Sequence, residues 1–394
     1  MAAMDGDPTR LSIRVVNSVT KLDAAAWDAC ALAPEAAGNP FLSHGFLKAL
    51  EDSKCLGRGT GWIPQHLVAE DDSGAVLGIV PMFLKSHSQG EYVFDHGWAQ
   101  AYERAGGRYY PKLQVCAPFT PVPGPRILPR PGPLSSHVFD AMVESMVKVA
   151  ADNDISSIHV TFCLREQWDA LGRLGFLKRQ HYQFHWRNDG YKTFDDFLAA
   201  LNSRKRKAIR KERAAIARHG LTMRALSGAE ITAQHWDAFF AFYMDTADRK
   251  WGSPYLNREF FHLLGGSLAE KVVLIVAERD GRLVAGALNL RGDDAIFGRN
   301  WGCVENHDFL HFEACYYQAI DYAIAHGLER VEAGAQGEHK IQRGYLPTPT
   351  YSAHWIGDRQ LRAAIANFLD RERPAAERDM AALMEYSPFR KGDE

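Results

Sequence analysis

The sequence lacks any long apolar segment. Its longest purely aliphatic run, from Val272 to Ala277, has six residues, whereas a helix that crosses a membrane needs about 18 to 20 apolar residues. The N-terminal residues include Asp5 and Asp7 but no apolar stretch behind a basic head, so they do not resemble a secretory signal. These absences predict a cytoplasmic protein that spans no membrane.

The chain also lacks a surplus of charge of either sign. Lys and Arg total 46 against 48 Asp and Glu, for a net charge of -2. This balance excludes a globally basic nucleic-acid-binding protein but not a local basic patch. Hydrophobic residues at 46% and charged residues at 24% argue against wholesale disorder. The six cysteines include no C-x-x-C pair, so we expect reduced thiols rather than disulfides.

The sequence repeats itself. Its length of 394 residues predicts two or three domains, and residues 67–78 align without gaps to residues 275–286, each reading as strand, turn and strand. Two shorter matches flank this one in the same order. They are a Pro-aromatic-Leu motif at 40–42 and 254–256, and a Gly-aromatic-Leu motif at 175–177 and 344–346. Three ordered matches indicate an ancestral duplication.

Each half has the pattern of an α/β unit, with a mixed central sheet flanked by helices. Apolar residues at helical spacing predict a long helix over 136–152 in the first half and over 309–326 in the second. Strands are predicted after them, over 155–162 and at Val331, and each half is expected to close with its own Gly-aromatic strand. The predicted boundaries are a first domain at 10–190, a second domain at 191–375 and a C-terminal tail at 376–394.

The first half carries an additional segment, residues 86–133, rich in Gly, Pro and Tyr. Long irregular connections within a compact domain are usually binding loops, so we predict that this one binds the acceptor substrate. The candidate contacts are Tyr109, Tyr110, Lys112 and Phe119. The alternative is a solvent-exposed excursion without a ligand.

A dense basic stretch begins the second half. Residues 203–213 contain seven cations and one anion, on a helix predicted over 195–219. Arg and Lys suit phosphate binding, and like charges at helical spacing destabilise a helix unless something neutralises them. We predict that this surface binds an anionic donor, the alternative being a solvated helix face. The donor-binding candidates are Arg204, Arg206, Lys207, Arg210 and Arg213.

A second cluster of reactive residues follows the predicted strand at Val331. Residues 334–345 contain three glycines, which permit unusual backbone geometry. Acyl transfer to an amine needs a base, donors for the developing negative charge and an acid for the leaving group. We predict Glu338 or His339 as the base, Lys340 and Arg343 as stabilising cations, and Tyr345 as a proton donor. The alternative is a structural ion-pair loop.

Two other patterns are weaker. His307 and His311 lie four residues apart, but Asp308 stands where a zincin has Glu, so we predict no metal site. Residues 299–304 partly match the Arg-x-x-Gly-x-Gly/Ala turn that holds the coenzyme A pyrophosphate in GNAT acetyltransferases, which adds Arg299 and Trp301 to the donor-binding candidates. The P-loop signature and the G-x-S-x-G signature are both absent from the sequence.

Taken together, these residues resemble the FemAB-like predicted N-acyltransferases, a family named for peptidoglycan biosynthesis or recognition. The resemblance spans about residues 39–355. It rests on the duplicated unit, on the basic stretch 204–213, on residues 311–317, and on Gly-Ala-Gln-Gly-Glu-His-Lys at 334–340 with Arg-Gly-Tyr at 343–345. It implies two tandem GNAT-like domains. Fem transferases, which that family resembles more distantly, carry an aminoacyl group from tRNA to an amine of a peptidoglycan precursor without coenzyme A.

The resemblance implies an N-acyltransferase or aminoacyltransferase that acts on an amine, such as one in a peptidoglycan precursor or another peptide. It implies aminoacyl-tRNA or acyl-CoA as co-substrate and no covalently bound cofactor. Two alternatives stay open at this point. One is a coenzyme A-dependent N-acetyltransferase, and the other is a non-catalytic binding protein on a degenerate GNAT scaffold.

Overall fold

The computed structural model describes residues 10–249, 254–334 and 337–390, apart from the side chains of Glu35 and Glu338. The strands are β1 (Ser12–Val16), β2 (Trp62–Pro64), β3 (His66–Glu70), β4 (Val76–Val80), β5 (Met82–Lys85), β6 (Lys112–Val115), β7 (Leu128–Pro129), β8 (Ser157–Cys163), β9 (Leu177–Arg187), β10 (Thr222–Ser227), β11 (Val272–Arg279), β12 (Arg282–Arg291), β13 (Ala295–Cys303), β14 (Arg330–Glu332) and β15 (Leu346–Ile356).

The α-helices are α1 (Ala24–Ala31), α2 (His44–Asp52), α3 (His96–Arg104), α4 (Ser135–Asp152), α5 (Arg165–Arg173), α6 (Phe194–Ala200), α7 (Ser203–Arg218), α8 (Ala233–Arg249), α9 (Arg258–Ser267), α10 (Leu310–Phe312), α11 (Gln318–Ala325) and α12 (Arg359–Met384). A π-helical segment, Glu313–Tyr317, joins α10 to α11. Short 3-10 helices lie at Val19–Lys21, Pro34–Ala36, Pro40–Leu42, Gly228–Glu230, Ala269–Lys271 and Glu338–Arg343.

The described residues divide into two compact units. Unit 1 comprises residues 10–36, 41–180 and 351–372, and unit 2 comprises residues 37–40, 181–249, 254–334, 337–350 and 373–390. The predicted fold class of mixed sheets flanked by helices is confirmed. Within the described ranges, no helix is long and apolar enough to cross a membrane.

Unit 1 holds two sheets. One has the strand order β1-β3-β4-β7, and the other has the order β2-β5-β6-β8-β15. Strands β6 and β8 are parallel, as the crossover through α4 requires. The apolar face of α4, which includes Val138, Met142 and Met146, packs into the main core of this unit. The observed helix begins one residue before the predicted range 136–152.

Unit 2 holds one sheet in the order β10-β11-β12-β13-β14-β9. Strands β13 and β14 are parallel, and α10 and α11 form the crossover between them. Their pairing covers only Ala295–Phe297 against Arg330–Glu332. In the part of the chain that the structure describes, no strand pairs with that edge of β13 beyond Phe297. The sheet therefore opens beside the C-terminal half of β13.

The two matching hairpins show the duplication in detail. Strands β3 and β4 form one hairpin and β11 and β12 the other, and each has a register shift at the same aligned step, after Ala69 and after Ala277. The strand beside each hairpin repeats as well. An arginine on β1 binds Glu70 at 2.7 Å and an arginine on β10 binds Glu278 at 2.9 Å. The repeat therefore extends to Arg14 and Arg224.

The closing strands differ from the prediction. Residues 185–187 of β9, from the first half of the chain, pair with β14. Residues 351–356 of β15, from the second half, pair with β8. The two halves thus exchange their last strands, and residues 351–372 lie in unit 1 rather than in a continuous second domain at 191–375. The cause is the backbone ladder between β15 and β8, which local sequence does not specify.

Three predicted segments are more ordered than expected. The loop over 86–133 contains α3, β6 and β7. Helix α12 continues through Met384, so the tail over 376–394 is helical at its start. The helix predicted over 195–219 is two helices, because Leu201 is extended and Asn202 caps α7 by accepting a hydrogen bond from the Lys205 amide at 3.0 Å.

Candidate functional site

The loop between β14 and β15 carries the predicted catalytic residues of unit 2. Ala335 and Gln336 lie outside the described residues, and the loop then forms the 3-10 helix Glu338–Arg343. Gly337 has a φ of +108°, and a Cβ there would lie 2.6 Å from Cε1 of the His339 ring. Glycine is thus required at this position both by the backbone conformation and by the close approach of the His339 ring. The side chain of Glu338 is not described.

His339 is the exposed member of this loop. Its Nε2 lies 3.0 Å from the hydroxyl oxygen of Tyr316 on the π-helical segment. Partial burial, together with the charges of Arg343 and Lys340, lowers the pKa of the imidazole below its usual 6.5. The ring is therefore neutral at neutral pH and has a lone pair available for a proton.

Lys340 is buried next to it. Its Nζ donates hydrogen bonds to the carbonyls of Ala333 and Gly334, at 2.6 and 3.1 Å. Burial lowers the pKa of this ammonium to about 8. The side chain holds the start of the loop in place and brings a positive charge close to His339.

Arg343 and Tyr345 complete the predicted set. Arg343 donates to the carbonyl of His339 at 2.9 Å and to both oxygens of Glu212 at 3.0 Å. Tyr345 is fully buried, and its hydroxyl donates to the carbonyl of Tyr316 at 3.0 Å. Since no substrate reaches a fully buried hydroxyl, the position of Tyr345 favours a structural role over the predicted proton donation.

The basic residues of α7 fall into two groups. Arg210 pairs with Asp195 at 2.9 Å on the surface, with the two side chains 58% and 77% exposed, and such pairs contribute little stability. Arg213 is partly buried and donates to Glu313 at 3.0 Å and to Asp321 at 2.6 Å. These carboxylates neutralise part of the positive charge that would otherwise destabilise so basic a helix.

Three predicted donor-binding cations remain on α7. Among the described residues, no carboxylate lies within ion-pair distance of Arg204, Arg206 or Lys207, and Arg204 and Lys207 are exposed. They precede the paired residues and occupy the first turns of the helix. This end of α7 is therefore a cationic surface without an internal counter-charge.

A cavity of about 480 Å³ lies at the open end of β13. Its lining includes Arg249, Trp301, Glu305, His307, His311 and Phe312. The His311 and Phe312 rings lie 6.2 and 5.7 Å from the His339 ring, centroid to centroid. Two rings that line the cavity therefore pack beside the His339 imidazole.

Residues 299–304, predicted as a pyrophosphate-binding turn, are extended as far as Cys303 in the structure. They lie on β13 and beyond its end, and Asn300 to Cys303 are paired in register with β12. Of the two predicted residues, Trp301 lines the cavity with its side chain, whereas Arg299 is not part of the lining.

The predicted acceptor residues lie in unit 1 and are mostly internal. Tyr109, Lys112 and Phe119 are buried, and only Tyr110 is partly exposed. The Lys112 ammonium donates to Glu91 at 2.7 Å and also contacts Asp95. This ion cluster supports the loop from within, and direct contact with a substrate is open to Tyr110 alone among the four.

Sequence reasoning missed three residues around the loop. Tyr316 and Phe312 lie among the apolar residues at helical spacing over 309–326, a pattern that indicates core packing rather than a site. Glu212 was counted only as the one anion among seven cations. His307 bonds Glu305 at 3.0 Å, and within the described ranges no group of three or more His, Cys, Asp or Glu residues is arranged to hold a metal ion.

Comparisons with known proteins agree with the resemblance. The FemAB-like family model, described as peptidoglycan biosynthesis/recognition, matches residues 18–391. FemX matches with a TM-score of 0.52 at 12% identity, over 82% of this chain and 94% of that chain. L-PGS from Bacillus licheniformis matches with a TM-score of 0.51 at 10% identity, over 82% and 96%.

A tandem GNAT protein from the clavulanic acid biosynthesis pathway matches with a TM-score of 0.47 at 12% identity, over 89% of this chain and 99% of that chain. No curated protein matches the sequence. The likeness to FemX confirms the predicted fold.

Proposed function

Because the chain belongs to the FemAB-like family of peptidoglycan biosynthesis/recognition proteins, we propose that it is an N-acyltransferase that moves an aminoacyl group from tRNA to an amine. The amine of a peptidoglycan precursor or related peptide is the proposed acceptor. One observation carries the proposal. The exposed imidazole of His339, whose lowered pKa keeps it neutral, lies 3.0 Å from the Tyr316 hydroxyl. It packs beside the rings of His311 and Phe312, which line a cavity of about 480 Å³.

The proposed chemistry is direct attack of the amine on the ester of the donor. In the proposed tautomer the Nε2–H group of His339 donates to the Tyr316 hydroxyl oxygen, 3.0 Å away, and the Nδ1 atom carries the lone pair. As the C–N bond forms, Nδ1 takes the amine proton. The C–O bond to the tRNA ribose then breaks, and the same proton passes to the leaving oxygen.

The neighbouring cations favour this reaction. Lys340 and Arg343 already lower the pKa of His339, and their charges also stabilise the negative charge that develops on the carbonyl oxygen. Glu338 is the alternative base on the same turn. Tyr345 serves the site by holding the Tyr316 backbone.

We assign the aminoacyl donor from the positive charge at the start of α7. Arg204, Arg206 and Lys207 form a cationic surface at the start of α7, and a polyanion such as tRNA releases counterions when it meets such a surface. Trp301 and the cavity would receive the aminoacyl end. On the acceptor side, we assign Tyr110 as a contact and the buried Lys112 cluster as its support.

The test is the His339→Ala variant, assayed with radiolabelled aminoacyl-tRNA and a peptidoglycan-precursor peptide that carries a free amine. A general base contributes about 10² to 10⁴-fold, so turnover should fall by that factor. The circular dichroism spectrum and melting temperature should stay close to those of the parent protein. His137→Ala, which removes an exposed histidine of α4, is the matched control and should retain full activity.

Glu338→Gln separates the two candidate bases, because it should leave most of the activity if His339 is the base. Full transfer activity in a folded His339→Ala protein would remove this loop from the reaction. Transfer by the parent protein from acetyl-CoA but not from aminoacyl-tRNA would contradict the donor assignment.

A further inference from the structure

One acidic residue stands among the cations of the basic helix. Glu212 of α7 accepts hydrogen bonds from the Nη2 atom of Arg343 with both carboxylate oxygens, each at 3.0 Å. Its Oε2 atom also accepts a short hydrogen bond from the hydroxyl of Tyr317. The Glu212 side chain is 16% exposed and that of Arg343 is 9% exposed. This pair is therefore largely shielded from water, unlike the Arg210 pair on the same helix.

Arg343 is fixed on two further sides. Its Nη1 donates to the carbonyl of His339 at 2.9 Å. Its guanidinium carbon lies 3.4 Å from the ring centroid of Phe312, which lines the cavity. A planar guanidinium held by a carboxylate, a carbonyl and a ring has one orientation. Glu212 supplies the only carboxylate of these three contacts.

We infer that Glu212 is a positioning residue for the transfer reaction: it holds Arg343, and Arg343 holds the turn that carries His339. The inference rests on the proposed function. Glu212 is not part of the cavity lining among the described residues, so it acts through Arg343 rather than on the substrate. Loss of its charge leaves a shielded guanidinium without a counter-ion, which Arg343 relieves by turning towards water. The His339 carbonyl is then released.

The inference predicts a specific kinetic effect. A misplacement of about 1 Å costs up to about 10²-fold in rate, so Glu212→Ala should lower kcat by about 10 to 100-fold. The KM values for aminoacyl-tRNA and for the acceptor peptide should change less than about twofold, since binding contacts are untouched. Asp195→Asn is the matched control, because it breaks the exposed ion pair with Arg210, and it should keep the parent kcat.

A double-variant comparison separates positioning from a general loss of structure. If Glu212 acts through Arg343, the Glu212→Ala/Arg343→Ala protein should be no slower than Arg343→Ala alone. Rate losses that multiply would overturn the inference. Glu212→Gln provides a milder change of the same shape, and a parent-like kcat in both Glu212 variants would also overturn it.

Hydrogen-deuterium exchange gives a readout that does not depend on catalysis. In Glu212→Ala, amides of residues 337–345 should exchange faster than in the parent, while those of α7 should not change. If the parent transfers no acyl group but this local increase occurs, the proposed function fails and the positioning contact stands. If the parent is active and exchange in 337–345 is unchanged, the positioning role fails and the proposed function stands.

Discussion

Two buried histidines of unit 1 share a hydrogen bond between their rings. His159 and His354 are register partners on β8 and β15, and their Nδ1 atoms lie 2.7 Å apart. One ring donates and the other accepts through a lone pair, so the accepting ring is neutral. Burial lowers the pKa of both imidazoles, which favours the neutral form of each. The Nε2 of His159 contacts Ser157 at 2.8 Å, and burial and the Lys112 charge oppose protonation more strongly than the Asp95 carboxylate favours it.

This pair predicts a loss of stability in acid. Burial and the Lys112 charge lower the pKa of His159 to about 3, whereas an unfolded histidine titrates near 6.5. The unfolded chain therefore binds more protons between these values, and the free energy of unfolding is highest above pH 6.5 and falls as the pH decreases towards 3. For His159 alone the loss between pH 6.5 and 5 should be about 2 kcal/mol.

Urea unfolding at pH 7, 6 and 5 measures this effect. The His159→Gln variant should start less stable than the parent at pH 7 but lose less stability on acidification. Parallel pH profiles for the two proteins would mean that His159 is already protonated in the folded state.

At the scale of elements, α7 has two different faces. Arg213 and Glu212 contact the π-helical segment and the 338–343 turn, whereas Arg204 and Lys207 are exposed. One helix thus provides packing for the candidate site and a cationic surface beside it. A purely solvated helix face, the alternative interpretation of the sequence, does not explain why α7 packs against the candidate site.

The exposed face predicts salt-dependent binding of tRNA. Replacing Arg204, Arg206 and Lys207 together with Gln should weaken binding and lower the slope of log K against log salt by about two to three, since each lost phosphate contact removes about 0.7 to 0.9. Filter binding between 50 and 300 mM KCl measures the slope. Arg218→Gln, in the last turn of the same helix, should have little effect, and an unchanged slope in the triple variant would assign the donor site elsewhere.

At the scale of the whole molecule, the sequence predicts the individual helices and strands better than it predicts which strands pair with each other. The hairpins at 67–78 and 275–286 and the helices near 136–152 and 309–326 follow from local alternation, turn residues and helical spacing, and the structure contains all of them. The break at Asn202 also had a signal, because Asn before a helical segment is a strong N-cap. The exchange of β9 and β15 had no signal in the sequence, since the pairing of β15 depends on contacts between residues almost 200 positions apart.

The candidate site shows the same limit. The chemistry of His339 and Lys340 could be recognised from residue type, because glycines, a histidine and cations crowd one loop. Burial could not. It separates exposed His339 from buried Tyr345 and places Lys112 in an internal ion cluster. The role of Glu212 depends on a residue 131 positions away.

The exchanged closing strands have a consequence for how the chain can be divided. A fragment ending at residue 190 contains β8 but not β15, and the fragment that begins at residue 191 contains β14 but not β9. Each would expose an unpaired strand edge, which is a template for aggregation. Separate expression of the two fragments should therefore give insoluble protein, whereas co-expression should restore a soluble complex in which each supplies the other's missing strand.

Solubility and size-exclusion chromatography of the separate and co-expressed fragments measure this complementation, and a cooperatively folding 1–190 fragment would contradict it. Interlocking of this kind makes an ancient duplication irreversible. Once each copy had come to depend on the other for its final strand, neither could be lost, shed by recombination or inherited as an independent gene.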